Sequence, residues 1–258
     1  MTASGPDKIV FVGGAPRSGT TVTHALICTS PSVSQYNPEI SFFRGIPSAF
    51  VNGRVAWKDH TSAFFDDPEA FRLHMRKTAD LSLMHIWDRL DRTPILALKD
   101  PHLTPLFPAL ASLYPDIGYF VTVCRHPFDV VRSREEVHAK SQLDRPYSVQ
   151  DAAAVAREYL QYYRAVLAHN FSGRHLMFRY EDLNGPSLQE TIAKFIGVSD
   201  LHARPMWGDA PDVSGDAWGS PKYHQPINLD PRLSPLRAEF QDVVRTICAP
   251  IMTRFGYS

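Results

Sequence analysis

Four short apolar runs punctuate the chain, at Ile9–Val12, Ile95–Leu98, Ile117–Val123 and His175–Phe178. The third is apolar at nearly every position, the pattern of a central parallel strand covered on both faces. Between these runs the apolar positions recur with a helical period. Pro68, after Asp66-Asp67, opens a helix with Phe71, Met75, Ala79, Leu83, Trp87 and Leu90 along one stripe. Ser148 opens another, carrying Ala152, Val155, Ala156, Tyr159, Tyr163, Val166 and Leu167. Ser234-Pro235 starts a third, with Leu236, Phe240, Val243, Ile247, Ile251 and Phe255 on one side and Gly256 as its stop. Strands alternating with helices predict an α/β fold with a mostly parallel sheet flanked by helices, and ligands at the carboxyl ends of the strands. One domain is expected over residues 1–258, with a flexible polar N-terminus at 1–7. Residues 204–231, rich in proline with glycines and two tryptophans, read as an irregular lid-like loop.

Composition narrows the function classes. Of 258 residues, 44% are hydrophobic and 21% charged, and formal net charge is zero. Such a balance suits an ordinary globular protein and argues against broad electrostatic binding to nucleic acid or an anionic membrane. Cys28, Cys124 and Cys248 are odd in number and far apart, which fits buried small hydrophobes and neither a disulfide framework nor a zinc site. Met1–Asp7 has no signal-peptide core, and no run approaches the roughly 18 apolar residues of a membrane span. A cytoplasmic location is expected. Oligomeric state is not legible.

The densest chemistry follows the first apolar run. Gly13-Gly14-Ala15-Pro16-Arg17-Ser18-Gly19-Thr20-Thr21 reads as a strand feeding a glycine-rich turn and a helix start. Backbone N–H groups and a helix N-terminus then converge on one point, which suits a phosphate or sulfate. The spacing approaches the P-loop G-x-x-x-x-G-K-[ST], but Thr20 stands where the lysine belongs, and Arg17 is the cation at hand. The central run ends in Cys124-Arg125-His126-Pro127, with Ser133 further along. A nucleoside triphosphatase would place a metal-holding carboxylate there. An arginine instead repels a metal and clamps a second phosphate, with the Ser133 hydroxyl beside it.

These residues resemble the PAPS-dependent sulfotransferases, and among them the tyrosylprotein sulfotransferases most. The matching pieces are Pro16-Arg17-Ser18-Gly19-Thr20-Thr21, Lys99-Asp100-Pro101 and Tyr180-Glu181. The resemblance implies a P-loop-like sulfotransferase fold. It further implies that residues 16–21 grip the 5′-phosphosulfate of 3′-phosphoadenosine 5′-phosphosulfate (PAPS), while Arg125 and Ser133 grip its 3′-phosphate. Tyr180 joins the nucleotide site on the same ground, as do Ser220 and Lys222 in a segment that folds over the nucleotide in relatives. The expected activity is metal-independent sulfuryl transfer to a hydroxyl-bearing acceptor, a phenol or alcohol on an apolar or aromatic body.

In-line sulfuryl transfer needs cations on the leaving phosphate and a base for the acceptor hydroxyl. Arg17 and Lys99 are the candidate cations. Glu39 is the first candidate base, since a carboxylate amid Tyr36, Ile40, Phe42 and Phe43 would be desolvated. His102 is the second, because small-molecule sulfotransferases carry Lys-x-His where this chain has Lys-x-x-His. Phe42, Phe43, Phe50, Trp57, Phe64 and Phe65 either belong to the core or line the acceptor site. The competing readings are a P-loop kinase and a catalytically silent nucleotide-binding module.

Overall fold

The computed structural model describes residues 5–140, 145–199, 201 and 235–258. Strands β1 (Lys8–Gly13), β2 (Ile95–Lys99), β3 (Gly118–Cys124) and β4 (His175–Arg179) form one sheet in the order β2-β1-β3-β4, and every pairing is parallel. Each expected strand is present: β1, β2 and β4 run one residue beyond the expected bounds, and β3 is shifted by one residue toward the C-terminus. Alternate side chains supply two cores. Ile9, Phe11, Leu96, Leu98 and Phe120 belong to one apolar cluster, while Val10, Val12, Ala97, Val121 and Val123 belong to the other.

Helices cover both faces. Helix α1 (Thr20–Ile27) and helix α7 (Pro186–Ile196) pack on the Val10 side. On the Phe11 side lie α2 (Gly45–Val55), α3 (Pro68–Arg89), α4 (Phe107–Leu113), α6 (Val149–Ala168) and α8 (Ala238–Phe255). Helix α5 (Pro127–Lys140) leaves the end of β3 directly. The local signals act as expected. Asp67 caps α3 by accepting from Ala70 N at 2.7 Å, with Pro68 at the first helical position. Ser148 and Asp151 form a capping box on α6. Gly256, at φ 66°, ends α8.

The start of α8 is a correction. Leu236 is buried but precedes the helix, and Arg237 is its N-cap residue with ψ 138°. Arg237 is held there by Glu135 at 3.0 Å, by the Tyr147 carbonyl at 3.0 Å and by the Phe240 ring. These contacts keep the first residues extended although the apolar period runs through them. Ser234 and the whole of the proposed lid at 204–231, with Ser220 and Lys222 in it, lie outside the described residues.

The strand order marks a switch point in the sheet. The chain leaves β1 for β2 on one side and then returns across β1 to β3 on the other. The crevice beyond the carboxyl ends of β1 and β3 is therefore the topological switch point, where open parallel sheets bind ligands. Among the described residues no helix is long and apolar enough to cross a membrane.

Candidate functional site

Both cationic motifs open onto that crevice. After β1 the loop turns sharply: Gly14 has φ 144°, Arg17 φ 72° and Gly19 φ 93°. Gly19 is the N-cap residue of α1, so the helix points its free N–H groups at the loop. A side chain at Gly14 would meet the Val123 carbonyl at 2.3 Å, and one at Gly19 would meet the Tyr180 ring at 2.2 Å. Glycine is thus required at both positions by close approach as well as by backbone angle. Arg17 takes the left-handed conformation with a full side chain, at a cost of about 1–2 kcal/mol. Strain of that size, retained in an arginine beside a helix N-terminus, fits a functional constraint.

Arg17 Nε donates to Ser133 Oγ at 3.0 Å. The loop cation and the hydroxyl expected at the second phosphate are therefore joined directly, across 116 residues of sequence. Arg125 follows the last residue of β3, and its side chain is 16% exposed. Its guanidinium lies over the Tyr180 ring at 4.8 Å, and Asp129 is 3.5 Å from Nε. That Nε is buried and, among the described residues, has no hydrogen-bond partner. Tyr180 thus touches both motifs, with its ring against Gly19 and beneath Arg125.

Lys99, at the end of β2, is 3% exposed. Its Nζ donates to Glu39 Oε1 at 2.8 Å and to Thr21 Oγ1 at 3.2 Å. The backbone explains how Glu39 arrives there. After α1 the chain runs beside β2, with a bridge between Val33 and Ile95 and with Ile40 N donating to the Lys99 carbonyl at 3.3 Å. The Glu39 side chain is 42% exposed and ion-paired, so the aromatic neighbours read from sequence do not enclose it. Beneath the pair His24 is fully buried, and its Nε2–H donates to the Ala97 carbonyl, 3.2 Å away. Burial first, and then the Lys99 charge, pushes His24 down to about 3.

His102 Nδ1 is hydrogen-bonded to the Tyr162 hydroxyl, and its backbone N–H donates to Asp100 Oδ1 at 2.9 Å. Asp100 is fully buried, with Arg44 Nε 3.3 Å from its other oxygen. Burial raises the Asp100 carboxyl above the usual range. The aromatic stretch divides. Phe43 and Phe50 are core, Trp57 and Phe65 pack partly against it, and Phe42 and Phe64 are 69% and 80% exposed. Cys124 and Cys248 are buried, and Cys28 is partly so.

The crevice thus holds Arg17, Ser18, Thr20, Thr21, Lys99, Arg125 and Ser133 on three parallel strand ends and the helices that leave them. The donor set is cationic and hydroxylic and falls into two groups, around Arg17 and around Arg125, which fits an anion with two separated charged groups. Sequence reasoning assigned no role to Tyr163 or to Glu181, which it named only as half of the Tyr180-Glu181 pair. The Glu181 carboxylate accepts from His126 N at 2.8 Å and from the Tyr257 hydroxyl at 2.9 Å, and so ties the start of α5 to the C-terminal tail. Tyr163 reads from the sequence only as an apolar helix position. Among the described residues no three His, Cys, Asp or Glu side chains are grouped as a metal-binding set.

The profile of the sulfotransferase family matches residues 9–199. A Caenorhabditis briggsae protein named "Putative protein-tyrosine sulfotransferase" is 24% identical over 97% of this chain and 89% of its own length. Among solved structures, the sulfotransferase domain of the Synechococcus PCC 7002 olefin synthase superposes with a TM-score of 0.58 at 19% identity, covering 96% of this chain and 97% of that one. The sulfotransferase domain from the curacin biosynthetic pathway gives 0.57 at 18% identity, covering 95% and 98%. A sulfotransferase from Alicyclobacillus acidocaldarius gives 0.52 at 15%, covering 99% and 98%.

Proposed function

Because this chain belongs to the sulfotransferase family, we propose that it moves a sulfuryl group from PAPS to the hydroxyl of a phenol or alcohol carried on an apolar or aromatic acceptor. The observation that carries the reading is the pair of cationic anchors at one switch point, joined by the Arg17–Ser133 hydrogen bond. A triphosphatase needs a lysine at Thr20 and a carboxylate at Arg125, and the chain has neither.

When bound, PAPS supplies a sulfuryl group on a phosphate leaving group and a second phosphate at the 3′ position. The amides and hydroxyls of residues 16–21 hold the 5′ end, with Arg17 as the charge on the leaving side. Arg125 and Ser133 hold the 3′-phosphate, and Tyr180 supports Arg125 through its ring face. Lys99 lies between Thr21 and Glu39, where an ammonium can follow charge that builds on the leaving oxygen. Glu39 accepts the acceptor's proton. His102 is the alternative base. In this reading the chain works as one domain in the cytoplasm.

Nucleotide preference tests the reading. Adenosine 3′,5′-bisphosphate should bind much more tightly than 5′-AMP, and excess EDTA should leave sulfuryl transfer from PAPS unchanged within a small factor. Preference for ATP with Mg²⁺, together with turnover that EDTA abolishes and Mg²⁺ restores, would revive the kinase reading.

A further inference from the structure

Three tyrosine hydroxyls converge on three consecutive carbonyls at the end of β3. Tyr163 lies 3.0 Å from the Val123 oxygen, Tyr257 3.2 Å from that of Cys124, and Tyr159 2.8 Å from that of Arg125. Tyr163 differs from the other two, because it also reaches the first loop. Its hydroxyl accepts from Ala15 N at 3.1 Å and lies 3.0 Å from Ser18 Oγ. A phenol has one proton and two lone pairs. The Val123 carbonyl can only accept, so it takes the proton, and the Ser18 hydroxyl donates in turn. All of Tyr163's hydrogen-bonding capacity is used, and the ring is fully buried against Tyr159, edge on at 4.9 Å.

The position matters because the β1–β3 ladder stops at Gly13 and Thr122. Beyond that pair no sheet hydrogen bond among the described residues sets the distance between the anion-binding loop and Arg125. We propose that the Tyr163 hydroxyl is a positioning group that fixes the spacing of the two anion cradles, so that one doubly phosphorylated nucleotide can fill both at once. This rests on the proposed use of PAPS. Tyr159 bonds only the β3 side and serves as the internal comparison. Tyr163 touches no reacting atom in this account. It acts through the loop amide and the Val123 carbonyl.

The test is a calorimetric titration of folded protein with three probes, adenosine 3′,5′-bisphosphate, 5′-AMP and 3′-AMP. Tyr163→Phe removes the hydroxyl and keeps the ring. Spacing matters only to a ligand that spans both cradles, so bisphosphate affinity should fall roughly 10- to 100-fold. Each monophosphate should lose less than about threefold, since either cradle alone can still adjust. Equal loss for all three probes, or no loss for the bisphosphate, would overturn the proposal. Tyr159→Phe should weaken 3′-AMP and the bisphosphate by the same factor, and a bisphosphate-only loss there would also overturn it. Wild-type protein with no preference for the bisphosphate over 5′-AMP overturns instead the functional reading beneath it. If Tyr163→Phe does not fold, hydrogen exchange at the Ala15 amide of the wild type decides. Saturating 3′-AMP, which occupies the Arg125 side, should slow that exchange, and an unchanged rate counts against the tie.

Discussion

Glu39→Gln should raise nucleotide affinity while nearly abolishing turnover. Glutamine keeps the size of the side chain and can still accept from Lys99, but it removes one negative charge. With Lys99 Nζ 2.8 Å from Glu39 Oε1 and 3.2 Å from Thr21 Oγ1, the carboxylate lies within about 6 Å of the loop hydroxyl. A unit charge at that range repels a bound anion by about 3 kcal/mol at an effective dielectric of 20. Glu39 is 42% exposed, so solvent and salt reduce this to about 1 kcal/mol. Calorimetric titration with adenosine 3′,5′-bisphosphate should therefore show about fivefold tighter binding. Initial rates with PAPS and a phenol should fall roughly 10²–10⁴-fold, the usual worth of a general base. Weaker binding would show that the carboxylate charge is not felt at the anion site. Turnover within a few-fold of wild type would remove Glu39 as the base. His102→Gln then separates the candidates: a dead histidine variant beside an active Glu39→Gln transfers the role to His102.

Arg125→Ala should weaken adenosine 3′,5′-bisphosphate by about 2–4 kcal/mol, or 30- to 1000-fold, and leave 5′-AMP nearly unchanged; equal losses in calorimetry would contradict its assignment to the 3′-phosphate. Gly19→Ala should abolish nucleotide binding, because its Cβ would meet the Tyr180 ring at 2.2 Å in a backbone conformation with φ 93°; a variant that binds normally in the same titration would refute the close approach. Stability should fall as pH drops below neutrality. Burial pushes His24 down to about 3 and, with Arg254 and His169 nearby, His175 to about 4, against an ordinary 6.5. Below about pH 6.5 the unfolded chain binds protons that the folded chain does not, so each histidine removes about 1.4 kcal/mol of stability per pH unit down to its folded value. Urea unfolding between pH 7 and pH 5 should show this decline, and His175→Gln should make it about half as steep; a flat profile would contradict the burial argument.

Most of the sheet was legible because β1, β2 and β3 are buried along nearly their whole length and so read as near-continuous apolar runs. The first loop was equally plain, since its glycines and hydroxyls follow one another in the chain. Other features depend on contacts that no local window contains. The Lys99–Glu39 pair spans 60 residues and exists because the segment after α1 runs beside β2. Phe43 and Phe42 are neighbours in sequence, yet one is core and the other is exposed, because the short turn at Ser41–Arg44 sends them to opposite sides. Tyr163 fits the apolar stripe of α6, and nothing local shows that its hydroxyl meets the loop after β1. The start of α8 was misplaced because Leu236 satisfies the helical period while Arg237 is held extended by Glu135 and the Tyr147 carbonyl.

The most direct test of the central claim follows sulfur. PAPS labelled in its sulfuryl group should be incubated with the protein and a panel of phenols and alcohols, and products should be resolved by mass spectrometry and label counting. The account predicts label on an acceptor hydroxyl, with adenosine 3′,5′-bisphosphate released in equal amount and with the same yield in excess EDTA. Label that stays on PAPS while the nucleotide is bound, across phenols and alcohols alike, would contradict it.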